Sequence, residues 1–211
     1  REERIGFTEL NTDFLLSYKK ALSSKLGLNL GFGGNAMRQV NRTSDVLAPE
    51  LAVAGIYTLS NSRVAVQNLT NNPFSEKRIN SLYATAQFDL NNAFYLDLSA
   101  RNDWSSTLPA DSRSYLYYAA NFSAVITDAL GIQSDKLSFA KWRIGFAQVG
   151  NDTDPYQLIA VYNAQTAVQG SPAYSESSVL VTPDLKPEIS TSIETGLDLR
   201  FFKNRIGLDL T

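Results

Sequence analysis

Strict alternation of apolar and polar residues, in runs of about ten, constrains this chain more than anything else in it. Between Ser24 and Gly34, Leu26, Leu28, Leu30 and Phe32 alternate with Lys25, Gly27, Asn29, Gly31 and Gly33. A helix would scatter those apolar side chains round its circumference, and each glycine would cost it about 1 kcal/mol relative to Ala. A strand gathers them on one face, because successive side chains point to opposite sides. The same pattern predicts strands over Leu10–Lys19, Ile79–Leu90, Phe94–Trp104, Tyr115–Thr127, Phe139–Val149 and Ile189–Phe201. A further strand opens at Ile206, Leu208 and Leu210, so the expected fold is all-β and antiparallel, with seven to eight strands.

Soluble sandwiches alternate too, so periodicity alone leaves two architectures open. Strand length favours a membrane barrel: about ten residues at ~3.3 Å each, tilted by ~40°, span roughly the 25 Å apolar band of such barrels. Soluble strands run to only about five or six residues. The connections also alternate. Lys20–Ser23, Asn91–Ala93 and Phe202–Arg205 are short, whereas Asn35–Arg78, Ser105–Ser114 and Gly150–Glu188 are longer. Asp128–Ser138 is intermediate and falls on the side of the short turns. Outer-membrane barrels have this asymmetry, with tight periplasmic turns and long extracellular loops. Aromatic residues gather at both ends of the strands, as interfacial girdles require. Tyr18, Phe94, Tyr95, Phe201, Phe202 and Trp142 lie towards the short turns; Phe32, Trp104, Tyr115, Tyr117 and Tyr118 lie towards the long loops.

An open sheet cannot lie in hydrocarbon, where each unsatisfied backbone group costs several kcal/mol. A transmembrane reading therefore implies further strands on both sides, and the chain is expected to be an internal stretch of a larger barrel. Composition narrows the function. With neither His nor Cys, the commonest general base, the thiolate nucleophile and the usual zinc ligands are missing. A net charge of −2 without a basic run offers nothing to nucleic acid. No run approaches the roughly 18 apolar residues of a transmembrane helix, and the opening Arg1-Glu2-Glu3-Arg4 is not a signal peptide. No nucleophile–base pair or carboxylate dyad stands out, so no catalytic residue, metal ligand or cofactor is expected. Asn151-Asp152-Thr153-Asp154 has oxygen ligands near a calcium-loop spacing. It lacks the required Gly and closing Glu, and Pro155 follows at once, so a turn is expected there. Gly31, Gly33 and Gly34 precede no helix or Lys-Ser/Thr pair and suit a crowded barrel interior, close to a plug, better than a phosphate loop.

Two long segments carry a family resemblance. Arg101-Asn102-Asp103-Trp104-Ser105-Ser106-Thr107-Leu108-Pro109 and Phe146-Ala147-Gln148-Val149-Gly150-Asn151-Asp152-Thr153-Asp154-Pro155-Tyr156 resemble strand-to-loop signatures of SusC/RagA-like TonB-dependent transporters. Leu185-Lys186-Pro187-Glu188, followed by Glu194-Thr195-Gly196, is similar to a motif of TonB-dependent receptors generally. From about Leu10 onward the whole chain fits. The resemblance implies that residues 1–211 belong to a 22-stranded outer-membrane barrel whose N-terminal plug is not in this chain. It further implies import energised by TonB, a SusD-like surface lipoprotein as lid, and oligosaccharide or oligopeptide cargo. No cofactor is implied.

Candidate contact residues follow from side and chemistry. Arg101, Asp103, Arg143, Glu194, Asp198 and Arg200 are expected on the lumen face, lining a substrate path or pairing with each other and the plug. Trp104, Tyr156, Tyr162 and Tyr174 could stack on sugar rings or pack loops against one another or a lid protein. The substrate-path candidates are thus Arg101, Asp103, Trp104, Tyr156, Tyr162 and Tyr174. A passive porin-like channel would share the strand pattern but need no plug upstream, and a carbohydrate-binding β-sandwich would extract without detergent.

Overall fold

Long alternating runs become long strands. In the computed structural model, which describes residues 1–70, 73–177 and 181–211 apart from the side chains of Asn163, Thr166 and Ala167, strand is the dominant element. The main sheet comprises β1 (Glu2–Ala21), β2 (Leu26–Leu47), β4 (Phe74–Leu90), β5 (Phe94–Ser105), β6 (Ser114–Val125), β7 (Leu137–Asn151), β10 (Glu188–Phe201) and β11 (Ile206–Leu210). They pair antiparallel in that order, and a short β3 (Gln67–Asn68) joins the far end of β2. A separate hairpin, β8 (Tyr162–Val168) with β9 (Ser171–Glu176), stands within the connection from β7 to β10. β1 and β11 are the edges, so the sheet is an unclosed sector of a barrel.

The expected side-chain register holds through the sheet. Tyr18, Leu30, Ala86, Leu98, Ala120, Phe146 and Ile193 form one unbroken cross-strand row. Two residues nearer the short turns, Leu28, Phe88, Leu96, Phe122, Ile144 and Thr195 form the next. Aromatic pairs bind this apolar face together: Phe122 meets Trp142 edge-on at 6.0 Å and Tyr118 meets Phe146 at 5.6 Å between ring centroids. Polar atoms near its centre are paired within the sheet, as hydrocarbon demands. The Trp142 indole N–H donates to Thr195 Oγ1 at 3.0 Å, and the Thr195 hydroxyl donates to the Arg143 carbonyl at 3.0 Å.

The opposite face is polar and crowded. One of its rows reads Lys19, Asn29, Gln87, Asp97, Asn121, Gly145 and Glu194. Here the glycines make room. A Cβ on Gly33 would lie 2.7 Å from the Phe14 carbonyl oxygen and 2.5 Å from the Tyr83 hydroxyl. Neighbouring strands thus supply the crowding that the sequence suggested there. Short turns close the strands at one end. The Leu90–Ala93 turn carries Asn91 and Asn92 at φ 55° and 54°, the backbone twist that a two-residue hairpin favours.

Two expectations need correction. Asn35–Arg78 is not loop throughout: β2 runs on to Leu47 and β4 starts at Phe74. The extension lacks apolar alternation, so periodicity could not show it. Polar cross-strand pairs hold it instead, including Asn35 to Asp13 at 2.6 Å, Gln39 to Glu9 at 2.8 Å and Arg38 to Glu76 at 2.9 Å. Thr127, expected in a strand, lies buried in a single helical turn, α1 (Ile126–Ala129), in the connection to β7.

Candidate functional site

Groups with chemistry to offer a ligand gather on the polar face near the loop end. Register sets Asp13, Asn35, Ser81, Asp103 and Tyr115 in one row, with Leu15, Gly33, Tyr83, Arg101 and Tyr117 in the next. Arg101 Nε donates to Asp103 Oδ1 at 2.7 Å, and its Nη2 donates to Ser81 Oγ at 2.8 Å. The Tyr117 hydroxyl donates to the other Asp103 oxygen at 2.9 Å. The guanidinium also lies over the Tyr83 ring, 5.9 Å from its centroid. Tyr115 and Tyr117 stack on each other at 6.2 Å. These two were expected in an interfacial girdle, but their odd-numbered positions put them on the polar face with Arg101 and Asp103. The alternation already contained that information.

Trp104 stands on the other face. It occupies the Asn80–Ser114 row, on the same side as Leu82 and Leu116, so within the sheet it does not join Arg101 and Asp103. Tyr162 and Tyr174 lie in the β8–β9 hairpin, where the pairs Tyr162–Glu176 and Ala164–Tyr174 place both rings on one face. Both are strongly exposed. Tyr156, at φ 66°, borders a cleft of about 390 Å³ together with Thr153, Gln157, Ile159, Val161 and Leu185. The candidates therefore divide into a pair on the polar face, a Trp on the apolar face and three loop tyrosines. Among the polar residues of the β2–β4 loop, Asn61 is consumed in building it, donating to the Val53 and Ile56 carbonyls at 2.8 Å each. Asn71 lies outside the described residues.

Alternation gave no sign of the joint between the loops. The Asp152 carboxylate, only 3% exposed, is paired with the Lys77 ammonium and accepts a hydrogen bond from Ser105 Oγ. The single Thr107 hydroxyl hydrogen is placed to serve either the same carboxylate at 3.2 Å or Ser105 Oγ at 2.9 Å. Farther along, Ser112 Oγ donates to the Leu185 carbonyl at 2.6 Å. The first two sequence motifs are thereby fastened together at the loop end, and the pairing of Glu188 with Asn151 joins the third to them. An ammonium already neutralises Asp152, and no cluster among the described residues has the make-up of a metal site. Above the sheet body, the Arg38 and Arg78 guanidinium groups converge on Glu76 and hold its carboxyl down at about 2. Arg1 likewise holds Asp45 below the usual carboxylate range.

Comparison with known proteins agrees with this architecture. A family model described as "TonB dependent receptor-like, beta-barrel" matches residues 5–211. The TonB-dependent receptor P3 of Formosa agariphila is 25% identical over 208 residues, covering 92% of this chain and 20% of that protein. Among solved structures, the RagAB peptide transporter superposes with a TM-score of 0.79 at 20% identity, over 98% of this chain and 23% of that one. The RagAB peptide importer matches with TM-scores of 0.75 in its "closed-closed" state and 0.72 in its "open-open" state, each at 20% identity. These likenesses are of fold, and they agree with the SusC/RagA-like signatures in the sequence. The chain spans about a fifth of the length of the curated relative it matches.

Proposed function

Because this chain belongs to the TonB-dependent receptor-like β-barrel family, we propose that it is one sector of the wall of an outer-membrane active transporter. In this proposal TonB supplies the energy, and a SusD-like surface lipoprotein covers the loop end. The short turns face the periplasm and the long loops face the cell exterior. The supporting observation is the two-faced sheet. An apolar face whose Trp142 indole is paired to Thr195 suits lipid, while the opposite face presents Arg101, Asp103, Tyr83 and Tyr117 to an aqueous interior. The cargo is an oligopeptide or oligosaccharide. Such polar chains suit the tyrosine-bearing loops and the charged lumen, and the fold likeness to a peptide transporter favours a peptide. Transport by the wall of a channel asks no bond-making of these residues, so no enzymatic role is assigned to them.

The loops carrying Tyr156, Tyr162 and Tyr174 would form part of the vestibule and the docking surface for the lipoprotein. The test is uptake of labelled peptide and glycan pools by cells making the full-length transporter, with and without TonB. A second arm removes residues 160–178, of which 178 lies outside the described residues. Uptake should need TonB, and the deletion should impair uptake or lipoprotein pairing while the barrel keeps its heat-modifiable gel mobility. Uptake that persists undiminished without TonB would make the chain part of a passive, porin-like channel. Unchanged uptake and pairing after the deletion would remove the loop from the vestibule.

A further inference from the structure

The outward face changes character abruptly where the apolar band stops. On β2 that face runs Leu30, Phe32, Gly34 and Ala36, then turns to Arg38, Val40 and Arg42. Trp104, in the row of Asn80 and Ala36, marks the interfacial girdle. The next row places Arg38 directly opposite Arg78, with the apolar, exposed Leu10 on its other side. From Ala36, in the girdle row, to Arg38 is about 7 Å along the strand, or about 5 Å along the membrane normal at a tilt of ~40°. That height lies in the polar headgroup zone that borders the hydrocarbon.

Like charges directly opposite on a sheet repel, so this pair calls for an anion. Glu76 provides one. Arg38 Nε donates to Glu76 Oε1 at 2.9 Å, and Arg78 Nε donates to the same oxygen at 2.5 Å. Arg42, two residues farther along that face, lies over the Phe74 ring at 5.7 Å. Val40, between the two β2 arginines, is buried, so the basic patch has a packed floor. Three guanidinium groups against one carboxylate leave a net charge of two positive. The nearest acidic group up the same face, Glu2, is held by Arg4. Arg38 and Arg78 stay more than half exposed, so donors beyond those used on Glu76 are open to the surroundings. Arginine forks match phosphate oxygens in pairs.

We propose that Arg38, Arg42 and Arg78 form an outward-facing site for the phosphate of an outer-leaflet lipid headgroup, fixing the height of this sector in the membrane. The site rests on the outer-membrane reading above. Leu10 and the girdle below it would meet the upper acyl chains while the arginines hold the phosphate.

The test uses the full-length transporter in nanodiscs of zwitterionic lipid, with diphosphorylated lipid A or its dephosphorylated form added and binding read by native mass spectrometry. Wild type should retain the phosphorylated form at least about 10-fold better. R38Q/R78Q should lose that preference while keeping heat-modifiable mobility, and R38K/R78K, which keeps the charge but not the fork, should retain part of it. Inorganic phosphate should not compete at equal concentration. Equal binding by the glutamine variant, or no preference in wild type, overturns the site. Full competition by inorganic phosphate makes it a free-anion site and overturns the lipid assignment. A wild-type chain that never inserts into the bilayer overturns the membrane reading and this site with it.

Discussion

Removing the Asp152 carboxylate should loosen the loop end of the sheet without opening the barrel wall. Asp152→Ala strands Lys77, whose side chain is 18% exposed, and takes an acceptor from Ser105 and Thr107, which are 1% and 3% exposed. Breaking a fully buried ion pair by deleting one partner costs about 3–5 kcal/mol. The residual exposure of Lys77 brings this to the low end of that range. With the carboxylate gone the two hydroxyls, 2.9 Å apart, bond each other instead, so their lost acceptor adds at most about 1 kcal/mol. Water reaching the opened site offsets part of the sum, leaving a net loss of about 3 kcal/mol, roughly a 100-fold rise in local opening. Hydrogen exchange on the full-length transporter reads this directly. Amides of 105–107 and 149–153 should exchange roughly 100-fold faster, and those of 94–100 should be unchanged. Asp152→Asn, which keeps an acceptor oxygen, should show a smaller effect. Replacing both charges, as in K77M/D152L, should recover much of the protection, because an apolar pair removes the stranded ammonium. Wild-type exchange in D152A, or loss of protection across the whole sheet, would refute this account of the joint.

Leu28→Arg puts a charge on the apolar face near mid-band and should cost roughly 2–4 kcal/mol, whereas Asn29→Arg on the lumen face should cost far less; comparable loss of heat-modifiable barrel in both would contradict the two-faced sheet. Gly33→Ala drives a Cβ against the Phe14 carbonyl and Tyr83, and should cost about 1–3 kcal/mol. An unchanged denaturant midpoint in Gly33→Ala would remove close packing as the reason for glycine there. Glu76 has its carboxyl lowered from 4.5 to about 2 by its two arginines, so its contribution to stability is present above 4.5 and lost as pH falls through 2. The melting-temperature gap between wild type and E76Q should hold from neutral pH to 4.5 and then close; a gap that closes well above pH 4.5 would assign the effect to another group.

How much of this was legible depended on whether one face of a strand was apolar. Along Leu26–Phe32 every second residue is apolar, and the register of β2 with β1 and β4 follows that pattern. Beyond Gly34 both faces of the strand become polar, and the pattern disappears although the strand continues for thirteen residues to Leu47. Exchange of polar partners with β1 and β4 extends it, and such pairing depends on which residues lie opposite, which one strand alone does not reveal. The shared polar face of Arg101 and Asp103 was legible from parity, and so, read consistently, was the placement of Tyr115 and Tyr117 on it. The division between the loop tyrosines and the lumen groups depends on how the β7–β10 connection folds, and nothing periodic encodes that hairpin.

The joint at Asp152 explains why the most specific strings in this sequence lie at strand tops rather than in the strands. Inside the band, any apolar residue of fitting size satisfies the outward positions, and the backbone ladder supplies the hydrogen bonds whatever the side chains are. At the loop end the ladder stops and the backbone turns away, so side chains must hold neighbouring loops together. Ser105 and Thr107 have the short hydroxyls needed to reach one carboxylate from adjacent turns, and Asp152 has that carboxylate just past the end of β7. Lys77 reaches the same point from β4, across the tops of β5 and β6. Each of these residue types is set by a partner on another strand, which makes the motifs one structural object written in separate places. The tyrosine-bearing connection is thereby fixed at both roots, by Asp152 at one and by Ser112 on the Leu185 carbonyl at the other. Tied at its roots, the connection carries the exposed rings of Tyr162 and Tyr174 on one face of the β8–β9 hairpin, where the proposed vestibule requires them.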